Sequence, residues 1–258
     1  MTQVVFITGA SSGIGRASAL AFVQAGYHVA GTARRAERLD ELEAEIKSLP
    51  GEHGVFLPII GDVADATSMA AAVEKTIEAF GRVDILVANA GVGHRGAMAD
   101  AEWDGLEMLL RTNIDGVLHS IRACVPEMRK VGGGHIITIS SIVFNMVSPY
   151  AASYAASKAF VSSLANSIRV ELVSDHILVS DFIIGRTETE FNQVRLGQGA
   201  RKESRLPNMT AEQVAAAIIR VVKKPKNTVV LRLFDRLVVL GNRLVPGIIG
   251  KLAARQYR

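Results

Sequence analysis

Near its amino end the chain runs Val4-Val5-Phe6-Ile7 straight into Thr8-Gly9-Ala10-Ser11-Ser12-Gly13-Ile14-Gly15, then into a small-residue stretch over 17–25. The first run is apolar throughout, as a strand buried on both faces requires. The last reads as a helix. Strand, glycine-rich turn and helix in this order build an anion site. Glycine permits the tight turn and close approach, and the first N–H groups of the helix, with its positive dipole end, face the anion. The spacing is G-x-x-x-G-x-G, and three glycines with Ser11 and Ser12 exceed what a plain connection needs.

The same alternation continues along the chain. Strands are expected at 28–32, 55–60, 84–88, 135–139, 177–184 and 228–231. Helices are expected at 36–49, 66–80, 100–130 with an interruption near Thr112-Asn113, 154–173 and 210–224. This order predicts an α/β protein, a doubly wound parallel sheet with helices on both faces. Residues 1–231 form one domain and 232–258 a basic, amphipathic C-terminal helical extension. Polar residues or glycines recur at the strand ends, at Gly9, Arg34, Asp62 and Asn89, where open α/β sheets bind ligands. In a dinucleotide fold the end of the second strand meets the adenosine ribose. An acid there suits NAD and arginine suits a 2′-phosphate. Here Ala33 is followed by Arg34 and Arg35, which points to NADP(H). The polar stretch 185–207 is long for a connection and suggests a substrate lid.

Residues 139–158, ISSIVFNMVSPYAASYAASK, set Ser141, Tyr154 and Lys158 among small and apolar neighbours. Tyr154 and Lys158 are four apart and share one helix face. A phenol titrates near ~10 and is a poor base at neutral pH. A nearby ammonium favours the phenolate and lowers that pKa, so the pair can exchange a proton with a substrate oxygen. Ser141, at the carboxyl end of the 135–139 strand, can bind the same oxygen. Asn113 lies amid Leu109, Leu110, Ile114 and Val117 and either satisfies backbone or serves the site.

Composition sets outer bounds. The 258 residues are 49% hydrophobic and 21% charged, which suits a well-packed globule. The net charge of +4 is too mild to imply nucleic acid. A single cysteine, Cys124, excludes an internal disulfide and reads as a small buried hydrophobe. With no signal-peptide pattern before the first strand, a cytoplasmic protein is expected. The histidines His94, His119, His135 and His176 show no metal spacing, so no metal is expected.

Together, Thr8-Gly9-x-x-x-Gly13-x-Gly15, Asp62-Val63, Asn89-Ala90-Gly91, Asn113, Ser141 and Tyr154-x-x-x-Lys158 resemble the short-chain dehydrogenase/reductase family over residues 4–230. The resemblance implies a Rossmann fold and hydride transfer between a nicotinamide and a carbonyl or secondary alcohol. It implies that Gly9, Ser11, Ser12, Gly13, Ile14 and Gly15 surround the pyrophosphate. Asp62 and Val63 would meet the adenine, Asn89, Ala90 and Gly91 the nicotinamide ribose, and Thr187 and Thr189 the carboxamide. It gives Tyr154 the acid/base role, with Lys158 lowering its pKa and holding the ribose, Ser141 positioning the substrate oxygen, and Asn113 holding a relay water. Ile184-Gly185 departs from the family's Pro-Gly. A homodimer or homotetramer is implied; the extra length of 232–258 speaks against the usual tetramer.

The wall between Ser141 and Tyr154 carries Val143, Phe144, Met146, Val147 and Pro149, which suits a lipophilic ketone, aldehyde or alcohol. His94 and Arg95 follow the Asn-Ala-Gly turn and either meet a polar end of the substrate or, the commoner case, are solvated loop residues. The extension can cover the pocket, pack in a dimer or lie peripherally on a membrane, and Pro246-Gly247 should break it in two. The competing function is a non-catalytic NADP(H)-binding sensor; the presence of Tyr154, Lys158, Ser141 and Asn113 speaks against it.

Overall fold

The computed structural model describes residues 2–192, 195–197 and 208–254. The order is β1 (Val4–Thr8), α1 (Gly13–Gln24), β2 (His28–Ala33), α2 (Ala36–Lys47), β3 (Phe56–Ile60), α3 (Ala66–Phe80), β4 (Ile85–Ala88), α4 (Trp103–Leu110), α5 (Gly116–Lys130), β5 (Gly134–Ser141), α6 (Ala152–Glu171), β6 (Ile177–Ile184), β7 (Thr187–Glu188), β8 (Met209–Thr210), α7 (Ala211–Lys223), β9 (Thr228–Val229), α8 (Leu233–Leu244) and α9 (Pro246–Ala254). Seven strands make one sheet in the order β3-β2-β1-β4-β5-β6-β9, and every pair is parallel. This is the doubly wound sheet the alternation predicts.

The strands' period of two divides the core between the sheet's faces. On one side Val5 and Ile7 join Phe22 of α1, Leu39 and Leu42 of α2, and Val214 and Ile218 of α7. On the other, Phe6 and Leu86 join Met69 of α3, Ile121 and Cys124 of α5, and Val161 of α6. Burial pushes the Cys124 thiol pKa well up, in keeping with a packing role.

The elements differ from expectation at their ends. Helix α1 starts at Gly13 rather than residue 17, because its first turn is the end of the glycine loop. Between α4 and α5 the interruption near Thr112-Asn113 is a wide π turn, Arg111–Asp115, and α5 then continues through Pro126 to Lys130. The last strand is only Thr228–Val229. The 185–207 stretch begins with a short strand that sequence did not suggest: β7 pairs with β8, Thr187 opposite Met209. Most of the expected lid lies outside the described residues. A reciprocal capping box then starts α7: Thr210 Oγ1 accepts from the Gln213 N–H, and Gln213 Oε1 accepts from the Thr210 N–H. The extension breaks at Val245, as Pro246-Gly247 requires.

Candidate active site

Strand order reverses between β1 and β4, and the crevice outside their carboxyl ends is the ligand position of such sheets. Gly9 (φ +70°) and Gly13 (φ +53°) adopt the left-handed backbone that folds the turn over this crevice. A side chain at Gly15 would overlap the Gly9 carbonyl, and one at Gly9 would stand 2.9 Å from Ala90 Cα. Side chains stitch β1 to β4. The Asn89 amide donates to the Thr8 and Gly9 carbonyls at 3.0 and 3.3 Å, and the Thr8 hydroxyl accepts from the N–H groups of Asn89 and Ala90, each at 3.1 Å. Ser12 caps α1 without lending its hydroxyl to the helix, and no acid stands in the first turn. The free N–H groups and dipole end therefore suit an anion, and this cradle fits the pyrophosphate of a dinucleotide. Thr189 lies over it, its methyl 3.1 Å from where a Gly13 side chain would begin. Thr187 is buried beside it and donates its hydroxyl to the Gly185 carbonyl at 3.3 Å.

At the end of β2, Arg35 Nη2 donates to Ser11 Oγ and Ser12 Oγ at 3.1 and 2.9 Å, so its guanidinium lies against the glycine turn. Arg34 turns the other way, 4.0 Å from Asp62, and both line a cavity of about 390 Å³ with Met108, Arg111 and Thr112. Val63 is buried against Gly116, where any side chain would collide with it. Two charged partners here were not foreseen. Glu190 sits between Arg35 and Arg38, 3.3 and 3.5 Å from their guanidinium nitrogens. An acid soon after a sheet strand was the only signal available.

Ser141, Tyr154 and Lys158 gather at the end of β5. Ser141 ends that strand and Tyr154 and Lys158 lie on α6. Burial pushes the Tyr154 phenol up to about 12, and a hydrogen bond with Ser141 pulls the other way. Burial pushes Lys158 down to about 8, opposed by the charge of Asp181. The sequence reading expects the lysine to lower the tyrosine's pKa; here Ser141 supplies the opposing pull. The reason is geometric: Lys158 Nζ donates to the Ile139 carbonyl at 2.8 Å and stands 6.0 Å from the centre of the Tyr154 ring. The Phe191 ring lies 5.7 Å from that of Tyr154.

Asn113 is fully buried in the π turn. Its Oδ1 accepts from the Val92 N–H at 2.8 Å, and its Nδ2 donates to the Val92 carbonyl at 2.9 Å and to Ser157 Oγ at 3.0 Å. Both it and Lys158 border Gly91, 3.2 and 3.5 Å from where a side chain there would begin. Behind Lys158, and missed from sequence, lies Asp181 of β6. It accepts from Thr138 at 2.9 Å and Ser162 at 2.5 Å, and Ser162 pairs with Ser140, which donates to the Lys158 carbonyl. A lone acid inside an apolar strand was the legible sign. His94 corrects the solvated reading: it is buried, bridged to Leu196 along the backbone, and burial lowers its pKa. Among the described residues no group of acids, histidines and cysteines could hold a metal.

Comparison with known proteins places the chain among its relatives. The chain is 32% identical to dehydrogenase/reductase SDR family member 7B of Bos taurus, over 99% of this chain and 81% of that one. It is 34% identical to sulfoacetaldehyde reductase of Chromohalobacter salexigens, over 94% and 95%. Among solved structures it resembles an alcohol dehydrogenase from Thermococcus sibiricus complexed with 5-hydroxy-NADP, with a TM-score of 0.80 and 27% identity over 90% of this chain and 97% of that one. It shares the fold of a short-chain dehydrogenase/reductase from Burkholderia phymatum in complex with NAD, with a TM-score of 0.85 and 22% identity over 95% and 94%. The family model for short chain dehydrogenases matches residues 3–198, which span the crevice, Ser141 and the Tyr154–Lys158 pair, and the chain belongs to that family.

Proposed function

We propose that this protein is an NADP(H)-dependent oxidoreductase that reduces a lipophilic ketone or aldehyde to the alcohol. The observation that carries the reading is the meeting of Ser141, Tyr154 and Lys158 at the end of β5, beside the crevice between β1 and β4. NADP(H), when bound, supplies the hydride. Gly9, Ser11, Ser12, Gly13, Ile14 and Gly15 would hold its pyrophosphate, and Arg34 and Arg35 its 2′-phosphate. Asp62, Val63, Asn89, Ala90, Gly91, Thr187 and Thr189 would line the remainder. Tyr154, still protonated at neutral pH with its pKa near 12, donates its proton to the developing alkoxide. Ser141 binds the same oxygen and stabilises its charge. Lys158 adds a positive charge near the phenol, and Asn113 ties the Val92 backbone to Ser157 of α6.

Reduction of a lipophilic carbonyl fits the partly buried wall of Val143, Phe144 and Met146. We also propose a cytoplasmic homodimer or homotetramer, with residues 1–231 as the catalytic unit and 232–258 as an appendage to it. Exposed Trp103, Phe160 and Val170 on α4 and α6 support association through those helices. The test is consumption of NADPH, with NADH in parallel, against carbonyl compounds of increasing apolar size. Turnover with NADPH should exceed that with NADH, fall by about a thousandfold or more in Tyr154→Phe, and lose its cofactor preference in Arg35→Ala. Tight NADPH binding without turnover of any carbonyl would move the weight to a cofactor sensor.

A further inference from the structure

Helix α8 is docked by a face on which the fully buried side chains are polar and Val238 and Val239 are half-buried. Its buried residues are Asp235 and Asn242, 0% and 3% exposed. Asp235 receives two hydrogen bonds of 2.8 Å from Arg232. Asn242 donates to the Asn145 carbonyl and accepts from the Val147 N–H at 3.4 Å. On the opposite face Leu233, Leu237, Leu240 and Leu244 are 71%, 58%, 53% and 71% exposed. Their spacings make one stripe. Arg236 and Arg243, both exposed, run along one edge of it. Residues 232–258 carry six basic side chains and one acid, Asp235, which is already paired with Arg232.

We infer that α8 is a docking surface for an anionic lipid bilayer, lying flat in the headgroup layer with its leucine stripe inserted and its arginines on the lipid phosphates. Charge selects this occupant over a second copy of the chain. An antiparallel two-fold pairing of stripes would bring the arginine edges of both copies together, and in a parallel one each edge would likewise meet no free acid on α8. An anionic surface attracts both arginines instead. The helix lies on the bilayer rather than through it: at twelve residues it is about 18 Å long, and no helix among the described residues is long and apolar enough to cross. The contacts with Asn145 and Val147 fasten α8 to the wall that follows Ser141. A bilayer-docked protein therefore holds that wall one helix thickness from the bilayer, a source of lipophilic carbonyls. That last step rests on the substrate class proposed above; the docking does not.

The test is cosedimentation of the full chain with vesicles of phosphatidylcholine alone and of phosphatidylcholine with phosphatidylserine. The protein should pellet with the anionic vesicles, weakly with the neutral ones, and less at high salt. Leu237→Ser/Leu240→Ser should lower the partition coefficient by about a hundredfold, roughly tenfold for each leucine. Arg243→Gln should lower it about fivefold on the anionic vesicles alone. All three positions are exposed, so melting temperature should hold in each variant. Failure to pellet with either vesicle, or pelleting unchanged by the double serine variant, overturns the inference. So does a concentration-dependent dimer that the double variant abolishes while vesicles go unbound; that result assigns the stripe to a second copy. Turnover of a water-soluble carbonyl without vesicles reads the reductase proposal separately, so either can fail while the other stands.

Discussion

Helices α1 and α8 have the same length, twelve residues, and opposite construction. The first buries Ala17, Ala19, Phe22 and Val23 and is held by apolar contact with the sheet and α7. The second buries Asp235 and Asn242 and turns its leucines outward. Apolar burial is non-directional and tolerates small shifts. A paired carboxylate and an amide with fixed partners demand one position. The contrast shows two ways of attaching a helix: one contributes the stability of the domain, the other sets the placement of a single surface.

The sharpest break of this contrast is Phe22→Ala. Phe22 is fully buried and meets Tyr27 edge-on at 5.2 Å, so its loss should cost about 3–5 kcal/mol in urea unfolding. A cost under ~1 kcal/mol would mean that α1 is not held by its apolar face. Asp235→Ala comes next. It leaves the Arg232 guanidinium, only a quarter exposed, without its carboxylate, at about 3 kcal/mol. The loss should be local, read as faster amide hydrogen exchange over 233–244 than over α1. Uniform loosening of both helices would refute the separate attachment.

Asp181 tests whether a buried acid at the site acts as Asp235 does under α8. Its partners are hydroxyls and the charges of Lys158 and Arg169 rather than a hydrogen-bonded arginine fork. Rising pH removes the Lys158 proton near 8, long before that of Tyr154 near 12, so carbonyl reduction should decline first through the lysine. Neutralising Asp181 removes a charge that keeps the proton on Lys158. Asp181→Asn should therefore move the alkaline limb of kcat/KM to lower pH by about one unit. An unmoved limb would leave Asp181 a packing residue. The smallest effect belongs to Leu240→Ser, whose stability change should stay within about 0.5 kcal/mol in the same urea titration.

Much of this was legible in the chain. Alternating apolar runs and glycine loops specify the parallel sheet, and the strand-end residues Gly9, Asn89 and Ser141 mark the crevice, because side-chain period and turn chemistry are local. What escaped depends on contacts far apart in sequence. Glu190 meets Arg35 across 155 positions, and the burial of His94 depends on Leu196 and Gly105. The direction in which α8 faces was equally hidden. Helical periodicity reveals a stripe, but the side that docks is chosen by Asn145, Val147 and Gly185, which no local pattern names.

The wide turn at Arg111–Asp115 has a consequence for how this helix can change. A π turn accommodates one residue more than an ordinary turn while leaving the helix on either side in phase. Removing a single residue there would restore a regular helix and leave the faces of α4 and α5 where they are. What would vanish is the amide between Val92 and Ser157. The wide turn is thus what lets the helix carry a buried amide out to the Val92 backbone, which a regular helix in the same place would leave unpaired.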